Sequence, residues 1–258
     1  MKKCTYFAAV AVTLLALVLT PMEGHAQTSI PECLGVSVIN SFLAPTEFSA
    51  GSVHGIAFDG QSLWAACYHC SLIYELGFNS SGDLIVVDSI DAPDYSPTGI
   101  TFVGKNLFSG DDGSQKITNQ KTTGTNAGRI KDWFDAPGED CVGLTYDGDI
   151  LYNADFNWSV PSVAYIHKIK INGDHIAPFL APGPCPEGLA FDGEFIWLAE
   201  WCQNKIYKLN ADDLTPVCYF DGPGPGGNPI GLTFDNSHLW LADQATQTFY
   251  KIDIGLGP

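Results

Sequence analysis

Basic residues are scarce in this chain: 12 Lys and Arg stand against 29 Asp and Glu, a formal net charge of −17. Such a balance repels phosphate backbones, which argues against nucleic acid as a partner. It leaves plain solubility, cationic ligands or divalent metal ions as its uses. Apolar runs long enough to cross a bilayer are missing beyond residue 26, so the chain is not expected to span a membrane. No Gly-x-Ser-x-Gly elbow, His-Glu-x-x-His pair or phosphate-binding loop occurs. Nucleophilic, zinc-protease and nucleotide chemistry therefore have no obvious seat. Helical periodicity is absent from residues 27–258, which points to an all-β chain.

The first residues read as a transport address. Lys2 and Lys3 precede an apolar core from Phe7 to Leu19, and Gly24-His25-Ala26 offers the small residues of a cleavage site. We expect a signal peptide over 1–26, a mature domain over 27–258, and a periplasmic or secreted protein. Cys4 lies too early for a lipoprotein, and cleavage leaves 10 basic and 28 acidic residues, a net charge of −18. Seven cysteines remain, and an oxidising compartment makes disulfides the first reading. The odd count leaves at least one free or intermolecular thiol. Cys67-Tyr-His-Cys70 is expected to be a structural disulfide, because a second such pair and a redox-domain context are both missing.

Five segments align with one another. They begin at His54, Thr98, Val142, Glu187 and Ile230, and each continues with Gly, an aliphatic residue, Ala or Thr, and an aromatic. Their shared glycines, Gly55, Gly99, Gly143, Gly188 and Gly231, lie 44, 44, 45 and 43 residues apart. That period belongs to four-stranded propeller blades. The fold expected is an all-β, five-bladed β-propeller. Asp59-Gly60, Asp147-Gly148 and Asp192-Gly193 read as hairpin turns needing positive φ. The last unit supplies only three strands, while Val36 to Phe42 forms an orphan strand before the first glycine. The N-terminal strand should therefore complete the fifth blade and remove exposed edges. Trp64, Phe108, Tyr152, Trp197 and Trp240 share one position in all units, which suits packing between blades.

Function should sit where the repeat breaks. The residues before the glycines (His54, Thr98, Val142, Glu187, Ile230) and those closing each second strand (Cys67, Asp111, Asp155, Glu200, Asp243) should meet at one mouth of the central channel. Glu187 and His54 stand out in the first group, as ligand contacts or as turn caps. In the second, the acids either anchor turns or gather round a cation. Calcium suits such an oxygen-rich site, with Asp111, Asp155 and Asp243 as ligands. Tyr68, Phe156, Trp158 and Trp201 lie in or beside the loops after the second strands. Acids beside aromatics suit a cationic or sugar-like ligand. The candidate ligand contacts are thus His54, Tyr68, Asp155, Trp158, Glu187, Glu200 and Trp201. Glu187 and Glu200 are the candidate acid/base residues. Cys185 and Cys202 flank them on the same face, and a disulfide between these two would stiffen it.

The unit Gly-Leu-Ala-Phe-Asp-Gly-x-x-Ile-Trp-Leu-Ala-Glu, with Lys205-Ile-Tyr-Lys-Leu209 after it, resembles NHL-repeat proteins, regucalcin-like lactonases and five-bladed glutamine cyclotransferases. Blade count, the closing strand and the segment Gly104 to Ile117 are most similar to the cyclotransferases. That resemblance implies a Thr-Gln-Gly-Leu motif in the first blade, where Val53-His54-Gly55-Ile56 stands. It also implies an acid in the next strand, where Ala65 stands, and a late lysine near the position of Glu200. The lactonase resemblance implies metal ligands before the glycines, a role open to Glu187 and His54 but not to Val142 or Ile230. Three functions stay open: a monomeric module binding a small cationic, sugar-like or peptide ligand, an enzyme of the cyclotransferase type, or an interaction platform.

Overall fold

Alternating apolar residues between Asp-Gly turns fold here into 20 strands and no helix among the described residues, 29–156, 163–224 and 226–255 of the computed structural model. The expected signal segment, 1–26, lies outside them. Strand β1 spans Ser37–Leu43 and belongs to the last blade. The first blade comprises β2 (Val53–Phe58), β3 (Leu63–Cys67), β4 (Leu72–Phe78) and β5 (Leu84–Asp91), and the second β6 (Pro97–Val103), β7 (Asn106–Asp111), β8 (Lys116–Lys121) and β9 (Ile130–Asp135). The third holds β10 (Cys141–Tyr146), β11 (Ile150–Asp155), β12 (Tyr165–Lys170) and β13 (His175–Leu180). The fourth holds β14 (Pro186–Phe191), β15 (Phe195–Glu200), β16 (Lys205–Asn210) and β17 (Pro216–Asp221). In the fifth, β18 (Pro229–Phe234), β19 (Leu239–Asp243) and β20 (Thr248–Asp253) are completed by β1. Each sheet has four antiparallel strands, so the five-bladed propeller is as expected.

The core is split into clusters between adjacent blades. Trp197 and Ala199 of the fourth blade pack with Leu232 and Leu241 of the fifth, and Trp64 and Ile73 of the first with Ile100 and Leu107 of the second. The repeated aromatics occupy these seams. In four blades they also carry a polar tie. Trp64, Trp197 and Trp240 donate their indole N–H to Asp59, Asp192 and Asp235, and the Tyr152 hydroxyl donates to Asp147. The same aspartates accept backbone N–H groups of their own turns, as Asp192 does from Glu194 and Phe195. The second blade lacks both halves of the tie, with Val103 and Phe108 at those positions. Gly60, Gly148 and Gly193 adopt positive φ, as their turns require.

Around the axis the shared glycines set the ring's circumference. A Cβ on Gly55, Gly99, Gly143, Gly188 or Gly231 would drive into the backbone carbonyl of Thr98, Val142, Glu187, Ile230 or His54, the residue before the next glycine round the ring. Neighbouring inner strands approach too closely for any side chain there. We predict that Gly143→Ala lowers the unfolding free energy by about 3 kcal/mol, from forced backbone shifts. A denaturant midpoint unchanged from the parent would refute this reading of the ring.

β1 runs antiparallel to β20, from Ser37 opposite Asp253 to Leu43 opposite Thr248. Its Phe42 stacks on Trp240, centroids 5.7 Å apart, and meets Phe78 of the first blade at 5.0 Å. The closing strand thus joins two blades. The segment before it crosses to the fourth blade, where Cys33 forms a disulfide with Cys218 and donates its N–H to Tyr219. The sequence reading did not anticipate this bond. Cys67–Cys70 and Cys185–Cys202 pair as expected, and Cys141 is the buried free thiol. No helix of the described residues is long and apolar enough to cross a membrane.

Candidate functional site

At one end of the channel, each blade brings together the loop before its first strand and the loop after its second. The acid closing the second strand clasps the two. Asp111 accepts N–H bonds from Ser96 in the loop before and Ser114 in the loop after. Glu200 does the same with Cys185 and Gln203, and Asp243 with Asn228 and Thr246. In the first blade Cys67 occupies this position, and its disulfide to Cys70 ties the following turn instead. In the third, one oxygen of Asp155 takes both Glu139 and Asp140, and the other faces His167 at 3.3 Å. The clasp needs an acid close under the loop, and the loop supplies room with glycine. A Cβ on Gly138 would strike Asp155, and one on Gly183 would strike Glu200.

With the clasps facing away, other side chains form the mouth. A cavity of about 210 Å³ lies there. Its walls include His54, Val142, Glu187 and Ile230, each directly before a shared glycine, and Tyr68, Asp112, Phe156, Trp201 and Gln244, each directly after a clasp residue. Asp140 and Asn228 add to the rim from the loops before the first strands. Among the described residues lining it there is no lysine or arginine.

Burial sets the charge states. Glu187 is buried, and desolvation raises its pKa well above the usual carboxylate range. The neighbouring charges of Asp140, Asp112 and Glu200 push the same way. Asp112 is raised too, chiefly by burial and further by Asp111, although the Tyr68 hydroxyl donates to it at 2.7 Å. Tyr68 is raised by burial and by that bond. His54 stacks on the Tyr68 ring, centroids 4.9 Å apart. Burial, then the nearby His69, lowers its pKa to about 4, so it is neutral at pH 7. The mouth is therefore a partly dry, acidic and aromatic-walled pocket holding at least one carboxyl that resists ionisation.

Of the sequence candidates, His54, Tyr68, Glu187 and Trp201 line the cavity. Asp155 and Glu200 do not; their oxygens serve the clasps, and Glu200 is wholly buried. Trp158 lies outside the described residues. Asp111, Asp155 and Asp243 belong to three different clasps and do not gather into one ligand set for calcium. Among the described residues the three ligand-type side chains whose ligand atoms all lie within 4.8 Å of one another are Cys185, Glu200 and Cys202, and the two sulfurs are joined in a disulfide. Sequence reasoning missed Asp112, Asp140, Asn228 and Gln244. The usable signal was the repeat itself: the position after the clasp residue reads Tyr, Asp, Phe, Trp, Gln round the ring, as variable as the clasp is constant.

No family model and no curated protein matches the chain. Among solved structures, it is similar to the glutaminyl cyclase of Myxococcus xanthus, with a TM-score of 0.67 and 11% identity over 84% of this chain and 95% of that one. It is similar to the virginiamycin B lyase of Staphylococcus aureus (TM-score 0.51, 20% identity, 79% of this chain and 66% of that one). A chain of a nidogen/laminin complex is similar at TM-score 0.54 and 20% identity, over 75% of this chain and 73% of that one. At such identities the likeness is one of fold.

Proposed function

We propose that this chain is an exported propeller that binds a small organic cation, such as the ammonium group of an amine or peptide, in the mouth of its channel. The observation that carries the reading is the convergence of Asp112, Asp140 and Glu187 beside Tyr68, Phe156 and Trp201, with no lysine or arginine among the described lining residues. Carboxyls held together away from water resist ionisation, and a cation restores the balance. The aromatic rings add cation–π attraction and an apolar wall. Three disulfides agree with export to an oxidising compartment.

The sign of the pH dependence follows from Glu187. Its pKa is raised in the free protein, and a bound cation favours the ionised form, so binding releases protons. Affinity for a small amine should rise with pH above the ordinary carboxylate range. Glu187→Gln should weaken binding about tenfold or more and flatten that rise. The same substitution should stabilise the free protein at neutral pH by about 0.5–2 kcal/mol, because a site carboxyl that strains the fold is removed. In the parent, Glu187 makes stability fall as pH climbs from 4.5 through its raised folded value. Calorimetric titration with alkylamines and glutaminyl peptides between pH 5 and pH 8 checks both statements. Equal affinity in the parent and the Gln variant would sink the proposal.

A second reading, an enzyme of the glutamine cyclotransferase type, is supported by the fold likeness to the glutaminyl cyclase and by a buried acid at the mouth. Glu187 would then exchange a proton with the amine it binds. Release of ammonia from glutaminyl peptides, lost in Glu187→Gln, separates this reading from simple binding.

A further inference from the structure

The propeller repeats one structural detail in every blade, a bulge between its third and outer strands. In the first four blades the register shifts between Glu75 and Leu76, Asn119 and Gln120, Lys168 and Ile169, and Lys208 and Leu209. The shift between Val38 and Asn40 of the closing strand is its counterpart in the fifth. A bulge moves the outer-strand residue across the pleat. In the third blade it places His175 opposite Ile169 rather than opposite Lys170. His175 therefore joins Ile169, and with it His167, on one face of the sheet. Pairs at the same two positions elsewhere are Tyr74 with Val86, Thr118 with Ile130, Tyr207 with Pro216, and Tyr250 with Val38. The third blade alone has two imidazoles.

These two rings point nitrogen at nitrogen. Nδ1 of His167 lies 3.1 Å from Nε2 of His175. On its other side, Nε2 of His167 faces Oδ2 of Asp155 at 3.3 Å. Asp155 is itself immobilised by the N–H groups of Glu139 and Asp140. In three other blades the second oxygen of the clasp acid is spent on a turn N–H. Here it is aimed at a histidine. His167 donates its Nε2–H to that carboxylate, which leaves the Nδ1 lone pair directed at His175.

We propose that His167 and His175 form a site for a divalent transition-metal ion that prefers imidazole, such as copper or zinc, on the flank of the third blade and apart from the mouth. Carboxylate, histidine and metal in line is the arrangement by which proteins fix the tautomer of a ligating ring and raise its basicity. Two nitrogens each about 2.05 Å from a tetrahedral ion stand roughly 3.3 Å apart, so the pair opens by a few tenths of an ångström to accept one. His167 is buried and held, whereas His175 is exposed and leaves the remaining coordination positions to water. Asp155 acts as a positioning residue through His167. An ion held there would pin the outer strand β13 to β12.

Zinc alone, titrated calorimetrically into the chelator-treated protein at neutral pH, is the probe. One equivalent should bind and raise the melting temperature. His175→Gln, at an exposed position where the fold does not depend on it, should weaken zinc binding tenfold or more and abolish the thermal shift. His69→Gln, near the mouth, should change neither. Copper(II) bound to the parent should show two imidazole nitrogens in its electron paramagnetic resonance spectrum and at most one in the His175 variant. A loss smaller than tenfold in His175→Gln, or a copper spectrum that variant leaves unchanged, overturns the site.

Discussion

A chain lacking residues 35–43 will not yield a folded monomer. These residues carry β1, which supplies the fourth strand of the last blade and covers the whole length of β20. Without them β20 becomes a bare edge, ready to pair with other chains. Phe42 goes too, and with it the contact linking Trp240 to Phe78 across the seam between last and first blades. A strand's ladder bonds plus a half-buried aromatic that bridges two blades approach the whole net stability of a domain, which is about 5–15 kcal/mol. Size-exclusion chromatography should find aggregate or an expanded species, and circular dichroism in the aromatic region should lose its fine structure. Adding a peptide of residues 29–43 should restore part of the signal by filling the vacant edge. A truncated protein that elutes as a compact monomer would show that the ring holds without its closing strand.

Replacing Cys33 and Cys218 together with serine should lower the unfolding free energy by about 5 kcal/mol. The bond joins residues 185 apart in sequence, and constraint of the unfolded chain grows with the logarithm of that distance. By the same relation the bond between Cys185 and Cys202, 17 apart, is worth about 3 kcal/mol, and that between Cys67 and Cys70 less than about 2. The long bond also anchors the segment that delivers β1. It turns closure of the last blade into a local event at high effective concentration. Chemical denaturation of the three double-serine variants should rank them in that order. If the Cys33/Cys218 variant is no less stable than the Cys185/Cys202 variant, the closure argument fails.

Blade count, strand order and the closing strand could be read from residues 54, 98, 142, 187 and 230 onward, because a repeat writes the same local physics five times. Glycine where strands crowd the axis, an aromatic for the seam and an Asp-Gly turn are each recognisable within about ten residues. The short-range disulfides were legible for the same reason. Glu187 and His54 were visible as breaks in that pattern. The clasp acids could be read as turn anchors or as a shared cation site, and the N–H groups they accept from their own loops are those of turn anchors, a feature that recurs in nearly every blade because it serves the blade.

What sequence alone determined, then, is the repeating unit and its number, since these depend on contacts between residues close in the chain. Only the folded ring decided that Cys33 meets Cys218, that Asp112 and Asp140 rather than Asp111 and Asp155 face the mouth, and that His167 meets His175. Each of those facts rests on where a chain segment lies after closure, or on a one-residue bulge that sends a side chain to the other face. A one-residue step along a strand reverses the direction of a side chain, and no local pattern among 29 acids records which way each one turns.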